Sequence, residues 1–144
     1  MKCVVDANVF VAAIRSGERD CDSCREFLQQ CLMSAAIMIC PVIILAEITG
    51  CIARAVQSRH EAELALFKFQ KNPCLRLVSV HQSLAESAAQ IAARCFLKGA
   101  DALYLATAQH HKATLITLDD EILKRGPLVV AVQTPAGWLK DHKR

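Results

Sequence analysis

Lys2-Cys3-Val4-Val5-Asp6 opens the chain as a short apolar run that ends on a carboxylate, and Thr114-Leu115-Ile116-Thr117-Leu118-Asp119 repeats that arrangement far along it. Runs this short and this continuously apolar fit strands covered on both faces, as in a parallel sheet. Ala36–Cys40, Leu75–Val80 and Leu128–Val132 share the character. Helical spacing fills the intervals. Cys24, Phe27, Leu28, Cys31 and Leu32 recur on one helical face, as do Leu84, Ala88, Ile91, Ala92 and Cys95. Val42 to Gln57 and Glu61 to Gln70 read as a helix pair joined at Ser58-Arg59-His60, with Asn72-Pro73 ending the second. Leu103 to His111 forms another helix, and a short one follows Asp119 before Gly126-Pro127. Strands alternating with helices predict a three-layer α/β fold built on a parallel sheet.

The 144 residues suit one domain spanning 1–144, without internal repeat, low-complexity tract or linker. With 53% hydrophobic residues a large core is expected. Met1-Lys2 leads straight into a strand, and the longest apolar stretch, Ala35 to Ala46, is too short for a bilayer and contains Pro41. These features predict a soluble, cytoplasmic protein. Eight cysteines are many for that compartment, but they are scattered, and Cys3, Cys31, Cys40, Cys51 and Cys95 fall in apolar patterns, as buried reduced thiols do. The basic end Lys140-Asp141-His142-Lys143-Arg144 reads as a frayed tail.

Four acids sit where folding alone would not put them. Asp6 and Asp119 follow strands at their carboxyl ends, the edge at which open α/β sheets bind ligands. Glu47 shares a helical stripe with Ile44, Ile48 and Cys51, and Asp101 shares one with Leu97, Leu105 and Ala108, so both face inward. Each has a structural alternative. Asp6 and Asp119 can cap the helices that follow, Asp101 suits a helix N-terminus, and Glu47 can pair with Arg54. Burying all four together is strongly unfavourable unless a cation or protons neutralise them. Oxygen-only ligands select Mg²⁺ or Mn²⁺. Asn8 and Thr117 are candidates for orienting a carboxylate or a water beside them. The formal charge of +3, with four acids committed to a site, leaves a cationic remainder suited to a polyanionic substrate.

Val4-Val5-Asp6-Ala7-Asn8-Val9, Leu45-Ala46-Glu47-Ile48, Gly99-Ala100-Asp101-Ala102-Leu103-Tyr104-Leu105-Ala106-Thr107-Ala108 and Leu115-Ile116-Thr117-Leu118-Asp119, with the closing Thr134-Pro135-Ala136-Gly137-Trp138-Leu139, follow one another in a recognisable order. Through them the chain resembles the PIN-domain ribonucleases, particularly the VapC-like toxins of toxin–antitoxin pairs. The resemblance implies a five-stranded parallel sheet in the order 3-2-1-4-5 and hydrolysis of single-stranded RNA by a metal-activated water. It implies that Asp6, Glu47, Asp101 and Asp119 form the catalytic quartet. Asp6 and Asp101 would be the firmest ligands of Mg²⁺ or Mn²⁺, with Asp119 and Glu47 completing the site or positioning the attacking water. It also implies a homodimer and a small antitoxin partner. Asp120 directly follows Asp119 and competes for its role, although strand alternation points it away.

Two other classes compete. Cys21-Asp22-Ser23-Cys24 is half a zinc site without a second pair, and His110-His111 at a helix end suits the helix dipole better than a metal. A non-catalytic RNA-binding domain would use Arg15, Arg19, Arg25, Lys98 and Lys112 along phosphates. With 5% aromatic residues a base-stacking platform is not expected, and a repulsive acidic cluster would hinder an RNA surface that used no metal.

Overall fold

The computed structural model describes residues 1–142. Its centre is a sheet of β1 (Lys2–Val5), β2 (Ile37–Pro41), β3 (Leu75–Val78), β4 (Thr114–Ile116) and β5 (Val132–Gln133), in the order β3-β2-β1-β4-β5. Every pairing is parallel. β1 is the middle strand, where Val4 stands opposite Ile39 on one side and Leu115 on the other. Cys3, Val4 and Val5 are buried, as an apolar run covered on both faces requires. The chain builds outward from β1 to β3, then returns to add β4 and β5 on the other flank. Strand order therefore reverses beside β1, and a crevice opens at the carboxyl ends of β1 and β4.

Eight α-helices cover the sheet among the described residues: α1 (Ala7–Ile14), α2 (Cys21–Met33), α3 (Ile44–Val56), α4 (Arg59–Gln70), α5 (Gln82–Cys95), α6 (Gly99–His111), α7 (Asp120–Arg125) and α8 (Pro135–His142). α6 lies against β1, β2 and β4 with α5 packed on it, while α1 packs on α2 and α3, and α3 on α4. Small side chains at Ala102, Ala106 and Ala108 let α6 bury nearly all round. Edge-to-face aromatic pairs tie helices together: Phe10 with Phe69 at 4.8 Å joins α1 to α4, and Phe27 with Trp138 at 5.1 Å joins α2 to α8. Ser58 caps α4 by accepting a bond from the Glu61 N–H, and Asn72 turns the chain after it by accepting from the Cys74 N–H.

The sequence reading and the fold differ at the ends of β3 and β4, which stop at Val78 and Ile116, and in three further places. The run after Gly126-Pro127 is not the last strand: residues 126–128 form a 3₁₀ turn, and pairing begins only at Val132. Pro127 lacks an N–H for a ladder. Gly126 has room for no side chain, since a Cβ there would stand 2.9 Å from Val132 Cγ2 and 3.0 Å from Leu105 Cδ2. Second, Pro135–His142 is a helix, started by Thr134 Oγ1 accepting from the Gly137 N–H; the basic end is thus helical through His142, and Lys143 and Arg144 lie outside the described residues. Third, α6 begins at Gly99, placing Asp101 inside its first turn. All eight cysteines are free thiols, seven of them buried. Cys24 is fully buried, and burial pushes its thiol up to about 12, away from the thiolate a zinc or redox site needs. No helix among the described residues is long and apolar enough to cross a membrane.

Candidate active site

The crevice at the carboxyl edge is a cavity of about 660 Å³ whose wall includes Asp6, Glu47, Asp101 and Asp119 together. Four separate elements deliver them. Asp6 ends β1 and precedes α1, Glu47 is in the first turn of α3, Asp101 is in the first turn of α6, and Asp119 precedes α7. Helix N-termini carry partial positive charge, so the acids in the first turns of α3 and α6 gain modest stabilisation. Asp120 is exposed and is not part of the wall, which Asp119 lines.

Hydrogen bonds clamp one oxygen of three of these carboxylates and leave the other open. Thr117 donates from Oγ1 to Asp6 Oδ2 at 2.8 Å, and Asn8 Nδ2 donates to the same oxygen at 3.2 Å. Among the described residues Oδ1 of Asp6 has no donor. Tyr104 donates its hydroxyl to Glu47 Oε1 at 3.0 Å, and the Ile122 N–H donates to Asp119 Oδ1 at 2.9 Å. Asp119 therefore caps α7 as well as lining the cavity. Asp6 occupies the corresponding place before α1 but makes no side-chain cap. Its carboxylate is turned instead toward Thr117, which is fully buried. Thr117 Oγ1 also accepts from the Asp119 N–H at 3.0 Å and from Asn8 Nδ2 at 3.3 Å, and Asn8 Oδ1 accepts from the Leu118 N–H at 3.2 Å. This network ties the end of β1 to the end of β4.

Burial pushes the Asp6 carboxyl up to about 7, against the opposing hydrogen bond from Thr117, and repulsion from Glu47, Asp101 and Asp119 adds to the rise. Burial also raises Glu47, with Asp101 repelling it and the Tyr104 hydroxyl opposing the shift. Asp101 is raised by burial and by Asp119, with Lys98 acting against both. Tyr104 is held firmly neutral by burial and by the nearby carboxylates, so it serves Glu47 as a hydrogen-bond donor. The set is all-oxygen, mutually repulsive, and has open lone pairs on partly fixed carboxylates. Such a donor set suits a hard divalent cation. Among the described residues, no group of three or more His, Cys, Asp or Glu side chains is arranged to hold a metal as it stands.

Sequence reasoning missed Tyr104 as the partner of Glu47. The signal was available: the chain's one tyrosine stands in an Ala-rich helix, where a buried hydroxyl needs an acceptor. Glu47 makes no ion pair with Arg54, the structural alternative for it, although both line the cavity. Of the five cations considered for phosphates, Arg15 is paired with Glu18 at 2.9 Å, and Arg25 donates to the Ala13 carbonyl and to Ser16. Lys112 caps the far end of α6, about 16 Å of helix from Asp101.

The fold has relatives among solved structures. VapBC2 from Rickettsia felis bound to a DNA fragment from its promoter matches with a TM-score of 0.72 and 16% identity, covering 93% of this chain and 98% of that one. FitAcB from Neisseria gonorrhoeae matches with a TM-score of 0.71 and 20% identity, covering 94% and 99%. A toxin–antitoxin complex from Klebsiella pneumoniae matches with a TM-score of 0.59 and 23% identity, covering 92% and 97%. Identities this low establish the fold alone. No curated protein sequence matches the chain. The PIN-domain family model matches residues 3–126, most of the chain and all four cavity acids, and the protein therefore belongs to the PIN-domain family.

Proposed function

We propose that this protein is a metal-dependent endoribonuclease that acts as the toxin of a toxin–antitoxin pair, with residues 1–144 forming one nuclease domain. One observation carries the reading: four acids from distant parts of the chain share a single cavity at the switch point of a PIN fold. Asp6, Asp101 and Asp119 would hold Mg²⁺ or Mn²⁺, a cation drawing together side chains that repel one another without it. Bound there, such an ion would supply Lewis acidity to a water and to a phosphoryl oxygen. Asn8 and Thr117 fix Oδ2 of Asp6 and so orient its other oxygen. Tyr104 fixes Oε1 of Glu47, leaving Oε2 to position the attacking water and accept its proton. The raised pKa of Glu47 suits that role.

The toxin assignment draws on the fold relatives, one of which is a toxin–antitoxin complex. The antitoxin would be a small protein that places a basic side chain against the acids. A homodimer is part of this proposal, but the Ala-rich helix cannot be its interface, because α6 is buried in the core. Exposed apolar side chains such as Phe67, 59% exposed, are the available surface. The test is cleavage of pooled cellular RNA with Mg²⁺ or Mn²⁺ and with excess EDTA. Cleavage that stops in EDTA and returns with metal is expected, and undiminished cleavage in EDTA would reject the mechanism. A short reading frame of antitoxin type immediately upstream would support the toxin role.

A further inference from the structure

The acidic cavity has a second end. Along α3, Glu47, Gly50, Cys51 and Arg54 all line it, one stripe of a helix in which these positions stack on a single face. Glu47 and Arg54 are seven residues apart, so their backbones are separated by about 10 Å along the axis. Between them the wall is made of small groups: Gly50, at which an added Cβ would meet nothing within 4 Å, and Cys51, with Val11 and Ala12 of α1 contributing from another element. The Arg54 side chain is exposed, and among the described residues its guanidinium has neither an acidic nor a hydrogen-bond partner. Glu18, the other acid on this wall, is already paired with Arg15 at 2.9 Å. A guanidinium on the wall of this cavity that pairs with none of its carboxylates is left to meet a group from outside.

The geometry points to Arg54 as a phosphate-binding residue for the polynucleotide backbone, taking the phosphate of a neighbouring nucleotide while the scissile phosphate lies at the acids. This inference rests on the ribonuclease reading above. A single phosphate is too small to touch both ends of the stripe, and a strand running through the cavity presents several. The planar fork of arginine grips phosphate oxygens through two parallel hydrogen bonds, which the phosphate's negative charge strengthens. Arg54 is in this scheme a positioning residue. It makes the enzyme prefer a polymer over an isolated diester.

Two measurements on the chain of residues 1–144 decide the matter. The first is equilibrium binding of a single-stranded RNA oligonucleotide in EDTA, followed by fluorescence anisotropy across a salt series, for wild type, Arg54→Ala and Arg54→Lys. Arg54→Ala should weaken binding about 10-fold at low salt and flatten the log–log salt dependence by about 0.7, the loss of one phosphate contact to a single strand. Arg54→Lys should keep most of the salt slope. The second is metal-supported cleavage of the oligonucleotide against a dinucleoside monophosphate, which has only the scissile phosphate. Arg54→Ala should lower kcat/KM for the oligonucleotide about 10-fold and leave the dinucleoside monophosphate unchanged. Equal loss on both substrates would put Arg54 at the scissile phosphate and overturn the proposal, as would an unaltered affinity and salt slope. If the wild type cleaves neither substrate, the ribonuclease reading fails, while the binding series still decides whether Arg54 holds a phosphate.

Discussion

Two cavities of similar size are carved from the same helices, and they differ in almost everything else. The acidic cavity, about 660 Å³, takes Ala7, Asn8, Val11 and Ala12 from α1 and Glu47, Gly50, Cys51 and Arg54 from α3. The apolar groove, about 570 Å³, takes Phe10, Ala13 and Ile14 from α1 and Ile52 and Val56 from α3, and is completed by Leu64, Ala65 and Phe69 of α4. Helical periodicity lets neighbouring residues of one helix face opposite chemistries. The groove side is ordinary core edge, where burial of carbon stabilises the fold. The acidic side is the reverse, because it gathers like charges at the expense of stability. Regions that cost folding energy without contributing packing are where function is to be sought.

That contrast gives a direct way to break the assignment. Asp6→Asn should cut cleavage by about 10³-fold or more, yet leave the metal-free protein at least as stable, since an amide oxygen can still accept from Thr117 and Asn8. Phe69→Ala, which deletes the ring packed on Phe10, should do the opposite. It should lower unfolding free energy by about 3–5 kcal/mol in denaturant melts while folded molecules keep their activity. A catalytic loss at Phe69 in well-folded protein, or a large stability loss at Asp6, would erase the distinction between the two walls.

A pH series sharpens it. The folded-state pKa of Asp6 lies at about 7, above the ordinary value of 3.8, so the native state holds a proton that the unfolded chain releases first. Metal-free stability is therefore greatest below about pH 4 on this account and declines as pH rises from there to about 7, by something on the order of 4 kcal/mol. Glu47 and Asp101 are shifted upward as well and act with the same sign. Asp6→Asn should flatten much of that decline in thermal melts followed from pH 4 to pH 8. A stability that rises over this range would show that burial and mutual repulsion do not hold these acids protonated in the folded state.

The smallest effect expected is at Tyr104. Tyr104→Phe removes one hydroxyl, which costs about 1 kcal/mol of stability, and it releases Oε1 of Glu47. The pKa of Glu47 should then move further up, because a donor to its ionised form is gone, and the acid limb of the cleavage pH profile should move with it. An unchanged profile would assign Tyr104 to packing alone.

The apolar runs that end in Asp6 and Asp119 declared both the parallel sheet and the edge of interest, because an uninterrupted run of Val, Ile and Leu has few other uses in so short a span. Glu47 and Asp101 were legible as misplaced charges on otherwise apolar helical stripes. The resemblance to PIN domains supplied the strand order, which periodicity cannot, since pairing is not encoded in any one strand. Which partner such residues meet was out of reach for a related reason. Thr117 was legible as a candidate beside the acids, but that its hydroxyl bonds Asp6 is seen only once β4 is paired with β1. Tyr104 reads as core until α6 is laid beside the start of α3. Leu128 reads as strand until Gly126 packs against Leu105 and Val132 and delays the pairing.

Side-chain chemistry and its periodicity belong to the chain, and from them came the class of fold and the identity of the four acids. Which oxygen of each carboxylate is clamped and which is open depends on partners far away in sequence, such as Thr117 for Asp6 and Tyr104 for Glu47. So does the unpaired state of Arg54 at the other end of the same cavity. Local sequence sets what a residue can do, but a hydrogen bond or a repulsion falls off within a few ångströms, so only the packed elements decide which of those capacities meet.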